Sequence, residues 1–241
     1  MTFWEHLDEL RRRLGYAVLV ALGATVLCFC FKETLFSVVL RPKPADMALI
    51  NVELTQQFMI HLRVSFWGGL LVVLPYLLYQ LFAFVAPGLY ALERRATVRA
   101  LGAGYLLFMS GVALNYFVVF PFTVRFLGHY QVSEEVANAI TLGSYVSVLG
   151  VLSLLMGVVF ELPVVCWLLG WVGVLKADFM RRYRRHALVG ILIVGAVITP
   201  TGDPFTLALV SAPIYLLWEV GILVVRRVER RRGVAEMQAT T

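Results

Sequence analysis

The chain has 241 residues, of which 60% are hydrophobic and only 15% charged, with a formal net charge of +6. Soluble globular domains run near a quarter charged, so the composition excludes an ordinary soluble fold. Cys28, Cys30 and Cys166 all stand inside apolar runs, so they read as small buried hydrophobes and not as a disulfide framework or zinc site.

Uncharged runs cover residues 14–31, 64–92, 100–124, 136–160, 187–202 and 204–218, with lengths of 18, 29, 25, 25, 16 and 15. About 18 or more apolar residues cross a bilayer core of about 30 Å, so the pattern predicts an all-α, polytopic membrane protein. We expect a single membrane domain over residues 1–241. Its six spans are placed at residues 14–31, 62–86, 100–123, 144–174, 187–202 and 204–225.

Residues 1–13 hold Phe3, Leu7 and Leu10 in helical spacing with Leu14, which predicts a short interfacial helix leading into the first span. Glu5, Asp8 and Glu9 precede the first arginines, which argues against a cleavable signal sequence. The long loop at 32–61 contains Arg41-Pro42-Lys43-Pro44, a helix breaker, and residues 58–62 can already begin the second span. Residues 84–88 mark the end of that span, and the polar stretch 129–141 has room for a short helix. Pro163 follows Glu161 in the fourth span and predicts a kink there.

The fifth run would be only ~24 Å long as an α-helix. Thr199-Pro200-Thr201-Gly202-Asp203-Pro204 then reads as a tight turn, and Pro213 and Glu219 interrupt the last span. Helices five and six are therefore expected to be short. Glycines inside the spans, such as Gly68 with Gly69, Gly102 with Gly104 and Gly190 with Gly195, are expected to permit close helix packing. The two halves share no internal repeat.

With six spans, the clusters at Arg11, Arg12 and Arg13, at Arg94, Arg95 and Arg99, at residues 176–185 and at residues 226–232 all fall on one side. That side holds 16 lysines and arginines and the other holds 5. The bias predicts both termini in the cytoplasm. It also accounts for the positive charge without a nucleic-acid partner.

Six polar residues stand out. Glu9 has an i,i+4 pairing with Arg13 as its simplest role, and Glu93 has solvated pairing with Arg94 or Arg95. Glu161 interrupts a long apolar stretch, where a carboxylate costs ~3 kcal/mol or more, so it should face a cavity, a partner or a proton. Gln80 calls for a helix contact, or else a water-lined groove. Glu219 suits an inter-helix hydrogen bond, and Asp203 a turn or cap. No catalytic constellation, metal-ligand cluster or phosphate-cradling loop accompanies them, so neither an enzyme nor a cofactor is expected. A small-solute transporter or channel with Glu161 as midplane site is the rival class, although convergent polar groups are sparse.

Taken in order, the motifs resemble the TatC family, the core subunit of the twin-arginine protein translocase. The leading segment His6-Leu7-x-Glu9-Leu10-Arg11-x-Arg13-Leu14 is similar to the family's first motif. So is Pro75-Tyr76-x-x-Tyr79-Gln80-x-x-Ala83-Phe84-x-Ala86-Pro87-x-Leu89-Tyr90-x-x-Glu93-Arg94-Arg95 to its most recognisable one. Tyr116-Phe117-x-x-Phe120-Pro121, Phe160-Glu161-x-Pro163, Thr199-Pro200 with Asp203, and Pro213-x-Tyr215-x-x-x-Glu219 follow in the expected sequence.

The resemblance implies a concave, six-helix scaffold in the plasma (inner) membrane of a prokaryote. Such a scaffold reads signal peptides bearing consecutive arginines and exports folded proteins. It implies Glu9 and Glu93 as the carboxylates that receive the arginine pair, with Arg11 and Phe84 shaping the site. It implies that Glu161 faces the membrane-embedded concavity and leaves Asp203 as the nearest candidate for a polar partner contact at the outer turn. Gln80 is counted with them as an intramembrane polar contact from its own place in the second span. Single-span TatA or TatB subunits are the implied partners, docking around the last two spans of an oligomeric translocase. Members often carry Gln shortly after the Pro-rich turn, where this chain has Leu207.

Overall fold

Long uncharged runs with few breakers dictate long helices, and helices make up nearly all the regular structure. The computed structural model of the chain describes residues 3–45, 47–85, 94–130, 139–199 and 203–239. The expected leading helix and first span are one continuous element, α1 (Phe3–Cys30). Cys28 and Cys30 lie two residues apart on it and so face different ways; Cys28 is buried but Cys30 is exposed, a correction to the sequence reading.

The expected loop 32–61 is more ordered than the prolines suggested. It holds α2 (Lys32–Leu40), which stops just before Pro42, and a two-residue strand β1 (Leu49–Ile50). That strand pairs in parallel with β2 (Ile140–Thr141), Leu49 opposite Ile140, a small exception to the all-α expectation. The second span starts early, as α3 (Gln56–Val85), and carries Pro75 without ending.

Two prolines do change their helices. After α4 (Arg94–Leu114) comes a π-helical turn, Asn115–Val119, and then α5 (Phe120–His129). Pro121 lacks the N–H that would bond four residues back, and the wider turn absorbs the mismatch. Pro163 acts likewise. It ends α6 (Leu142–Phe160) and begins α7 (Leu162–Val172), with Glu161 at the junction.

The remaining elements are α8 (Ala177–Arg182), α9 (Arg184–Ile198) and α10 (Pro204–Ala239). Among the described residues, five helical stretches are long and apolar enough to cross a membrane: Leu7–Cys30, Gln56–Leu81, Ala100–His129, Leu142–Val172 and Pro204–Arg231. The 15 residues of α9 give only ~22 Å, short of the ~30 Å core. The expectation of a short sixth helix is corrected, since α10 runs for 36 residues with Pro213 inside it. The arginines that bounded the span in sequence are themselves good helix formers, so the helix continues through them.

The chain divides into two compact units, one within Met1–Tyr105 and Val124–Val151, the other within Leu106–Thr123 and Leu152–Thr241. In the first, α1 and α2 pack on α3. Gly69 makes that possible, because a Cβ there would come within 2.7 Å of the Thr25 backbone nitrogen. In the second, α7, α8 and α9 pack on α10 around Cys166, Ala177, Met180, Ile222 and Val225. Gly195 accepts Leu207 and Ser211 at close range, whereas Gly102 and Gly190 face open space and have no packing role. Large apolar side chains such as Leu19, Val72, Leu106 and Val197 stand on the outside of the helices, as lipid-facing residues do.

Candidate functional site

Helical spacing puts Glu9 and Arg13 one turn apart on α1, and the pair forms as expected. Arg13 donates from Nε and Nη2 to the Glu9 Oε1, at 3.0 and 2.6 Å. Its third contact leaves the helix: Nη1 donates to Gln80 Oε1 on α3 at 3.0 Å. The Gln80 amide then donates to the Tyr76 hydroxyl, one turn back, at 2.6 Å. Gln80 is thus a helix-to-helix contact. Both members of the ion pair are largely covered, with side chains 24% (Arg13) and 15% (Glu9) exposed.

Arg11 is exposed on α1, and Phe84 belongs to the last turn of α3. Glu93 lies outside the described residues. Among the described residues the cluster is therefore Glu9, Arg13, Gln80 and Tyr76. Sequence reasoning missed Tyr76, although its i,i+4 spacing from Gln80 was the available signal.

The second polar region is on α7 and α10. Glu161 is partly buried where α6 gives way to α7, and its Oε1 is buried without a hydrogen-bond partner. Asn115 opens the π-helical turn fully buried; its amide donates to Ser153 Oγ at 2.8 Å while its Oδ1 has no partner. Thr206 Oγ1, Ser211 Oγ and Trp218 Nε1 are in the same condition. The sequence reading singled out none of these four, though a lone Asn inside an apolar run is a signal of its own.

Three carboxylates have structural partners. Asp203 Oδ1 accepts the Thr206 backbone N–H at 2.7 Å and so caps α10. Glu219 accepts Arg184 Nη2 at 2.5 Å, joining α10 to α9. Glu229 accepts the Ala177 backbone N–H at 3.0 Å, a contact across 52 residues that nothing in the sequence announces.

Several apolar helices of membrane-crossing length, with polar side chains gathered at their ends and breaks, define a multi-pass membrane protein. The family model for the Sec-independent protein translocase protein TatC matches residues 5–213. The chain belongs to the TatC family. A TatC protein of Deinococcus radiodurans is 36% identical over 231 residues, covering 92% of this chain and 85% of the relative. One of Escherichia coli is 34% identical over 221 residues, covering 90% and 85%. A crystal structure of the twin-arginine translocase receptor TatC superposes with a TM-score of 0.78 at 30% identity, covering 93% of this chain and 99% of that one. These relatives are named as components of a protein translocase, a transport role.

Proposed function

We propose that the chain is the receptor subunit of a twin-arginine translocase and reads the consecutive arginines of a signal peptide through Glu9 and Glu93. The observation that carries this is Glu9 itself, whose carboxylate already holds a guanidinium, that of Arg13, through two hydrogen bonds. An incoming arginine takes up the same fork-to-oxygen geometry, and Gln80 retains Arg13 through its Nη1 while the exchange occurs. Lysine presents a single point charge and cannot reproduce the planar fork. Arg11 and Phe84 shape the surroundings of this site.

In the same reading the chain is one membrane domain with α9 as a sixth, short span. Both termini are in the cytoplasm and the host membrane is the plasma (inner) membrane of a prokaryote. TatA or TatB subunits dock around α9 and α10, with Asp203 as a candidate contact, within an oligomeric translocase. Glu161 serves partner docking or a hydrated groove. Membership of the TatC family lends no support to the solute-transporter alternative.

The test is binding of a signal peptide with Arg-Arg against one with Lys-Lys. A charged hydrogen bond contributes about 1.5–3 kcal/mol, so Glu9→Ala and Glu93→Ala should each weaken Arg-Arg binding by roughly 10- to 150-fold. The Lys-Lys peptide should lose far less. A double variant that keeps the original Arg-to-Lys ratio would sink the proposal.

A further inference from the structure

Where α7 and α10 run out of apolar residues, the second unit builds a rigid cationic collar that signal reading does not use. Gly173, with φ of 86°, ends α7 and turns the chain. The chain then lays α8 against α10, with Ala177 and Met180 in one buried cluster with Ile222 and Val225. Glu229 takes up the Ala177 N–H, one of the orphan donors of a helix's first turn. Just beyond α8, the Arg184–Glu219 ion pair makes a second tie to α10. The connection is thus fastened on both sides of α8.

What it presents outward is nearly uniform. Arg181, Arg182 and Arg185 are exposed, and so are Arg226, Arg227 and Arg230 on the neighbouring stretch of α10. None of the six is in an ion pair among the described residues. Glu219 and Glu229 are committed to the contacts above, leaving Asp178 as the exposed carboxylate of α8. Beside the guanidiniums, the rings of Phe179 and Tyr183 lie 4.5 Å apart, with His186 5.3 Å from Tyr183. Phe179 is 55% and Tyr183 41% exposed.

We propose that this collar binds the phosphate headgroups of acidic phospholipids, of the phosphatidylglycerol class. Charge complementarity selects a net-negative headgroup over a zwitterionic one, which brings its own cation. Exposed aromatic rings at the edge of an apolar span are the signature of a membrane interface, so the phosphate belongs to a lipid and not to a soluble anion. Cations that only set topology need to be near the ends of spans; they do not need a connection tied to α10 by two carboxylates, one at each end of α8. Arg181, Arg182 and Arg185 carry the proposal, and the α10 arginines extend it.

The experiment measures the lipid retained by the full chain after a detergent wash from bilayers of equal phosphatidylglycerol and phosphatidylcholine. One arginine near an anionic surface is worth about a factor of five, so wild type should retain phosphatidylglycerol in at least about fivefold excess. Arg181→Gln/Arg182→Gln/Arg185→Gln should bring the ratio close to one, and the triple Lys variant should keep most of the excess. Arg182→Gln alone, the milder change if the triple variant folds poorly, should lower the ratio severalfold. Lys32→Gln/Arg41→Gln/Arg125→Gln removes equal charge elsewhere and should leave the ratio as in wild type. Retention unchanged in the Arg181/Arg182/Arg185 Gln triple, or lost equally in that triple and in the Lys32/Arg41/Arg125 control, would overturn the proposal. So would release of the bound lipid by millimolar glycerol 3-phosphate, which would identify a soluble-anion site.

Discussion

The two units treat their polar side chains in opposite ways. In the first, the polar groups inside helices are partnered: Arg13 with Glu9 and Gln80, Gln80 with Tyr76, Thr25 with the Ala21 carbonyl, Ser65 with that of His61. Among the described residues no buried side-chain nitrogen or oxygen there lacks a partner, whereas the second unit holds five that do, on Asn115, Glu161, Thr206, Ser211 and Trp218. An unmade hydrogen bond at a buried polar atom costs about 1–3 kcal/mol, so five in one unit are a substantial load. The first unit is built as a finished structure. The second keeps hydrogen-bonding capacity that its own fold does not use.

The comparison breaks most visibly at the α1–α3 contact. Gly69→Leu would drive a side chain into the Thr25 backbone, which cannot swing aside as the end of a flexible side chain does. The cost should lie at or above the top of the roughly 1–3 kcal/mol range for overpacking. Thermal unfolding in detergent, followed by helical ellipticity, should show a large loss or no folded protein. Gly102→Leu is the control and should change little, since nothing lies within 4 Å of its Cβ position.

A paired substitution sharpens the contrast. Gln80→Leu removes the link from α3 to Arg13 and should destabilise by about 1–2 kcal/mol, in the upper part of what helix-to-helix hydrogen bonds contribute in membranes. Glu161→Leu removes a carboxylate with an orphaned oxygen, so its effect on stability should lie within about 1 kcal/mol of zero or be favourable. Export should respond in the other order at Glu161: Glu161→Gln keeps hydrogen bonding and much of the activity, and Glu161→Leu loses more. If Glu161→Leu proves as destabilising as Gln80→Leu, the second unit satisfies that carboxylate internally and the contrast is false.

What the sequence reveals follows from the range of each interaction. Glu9 with Arg13 and the Asp203 cap were legible because both lie within four residues, where helix geometry leaves few choices. Glu219 was legible for another reason, since a carboxylate near the end of an apolar helix requires a partner, although sequence could not name Arg184. The pairing of Leu49 with Ile140 and the capping of Ala177 by Glu229 depend on how distant segments meet. No local pattern encodes that. The length of α10 was misread because charge marks where apolar character ends, not where helical hydrogen bonding ends. Pro121 and Pro163 were visible, yet whether a proline yields a π-helical turn, a new helix start or, as at Pro75, an uninterrupted helix depends on packing.

The smallest effect expected is at the start of α10, where the second unit does satisfy a polar group. Asp203 accepts the Thr206 N–H three residues on, so Asp203→Ala should cost about 1 kcal/mol, the usual loss for an N-cap carboxylate. Asp203→Ser or Asp203→Asn keeps a side-chain oxygen and should recover most of it, while Asp203→Glu moves the carboxylate one bond too far and should recover less. The proposed partner contact at Asp203 makes a separate demand, because a cap needs only an oxygen whereas a cationic or hydrogen-bonding partner senses the charge. Measuring unfolding and co-purification of TatA or TatB in the same four variants separates the two roles. If Asp203→Asn restores stability and partner retention together, capping explains the residue completely. If it restores stability alone, the charge at Asp203 acts on a partner, and the cap is the lesser of its two functions.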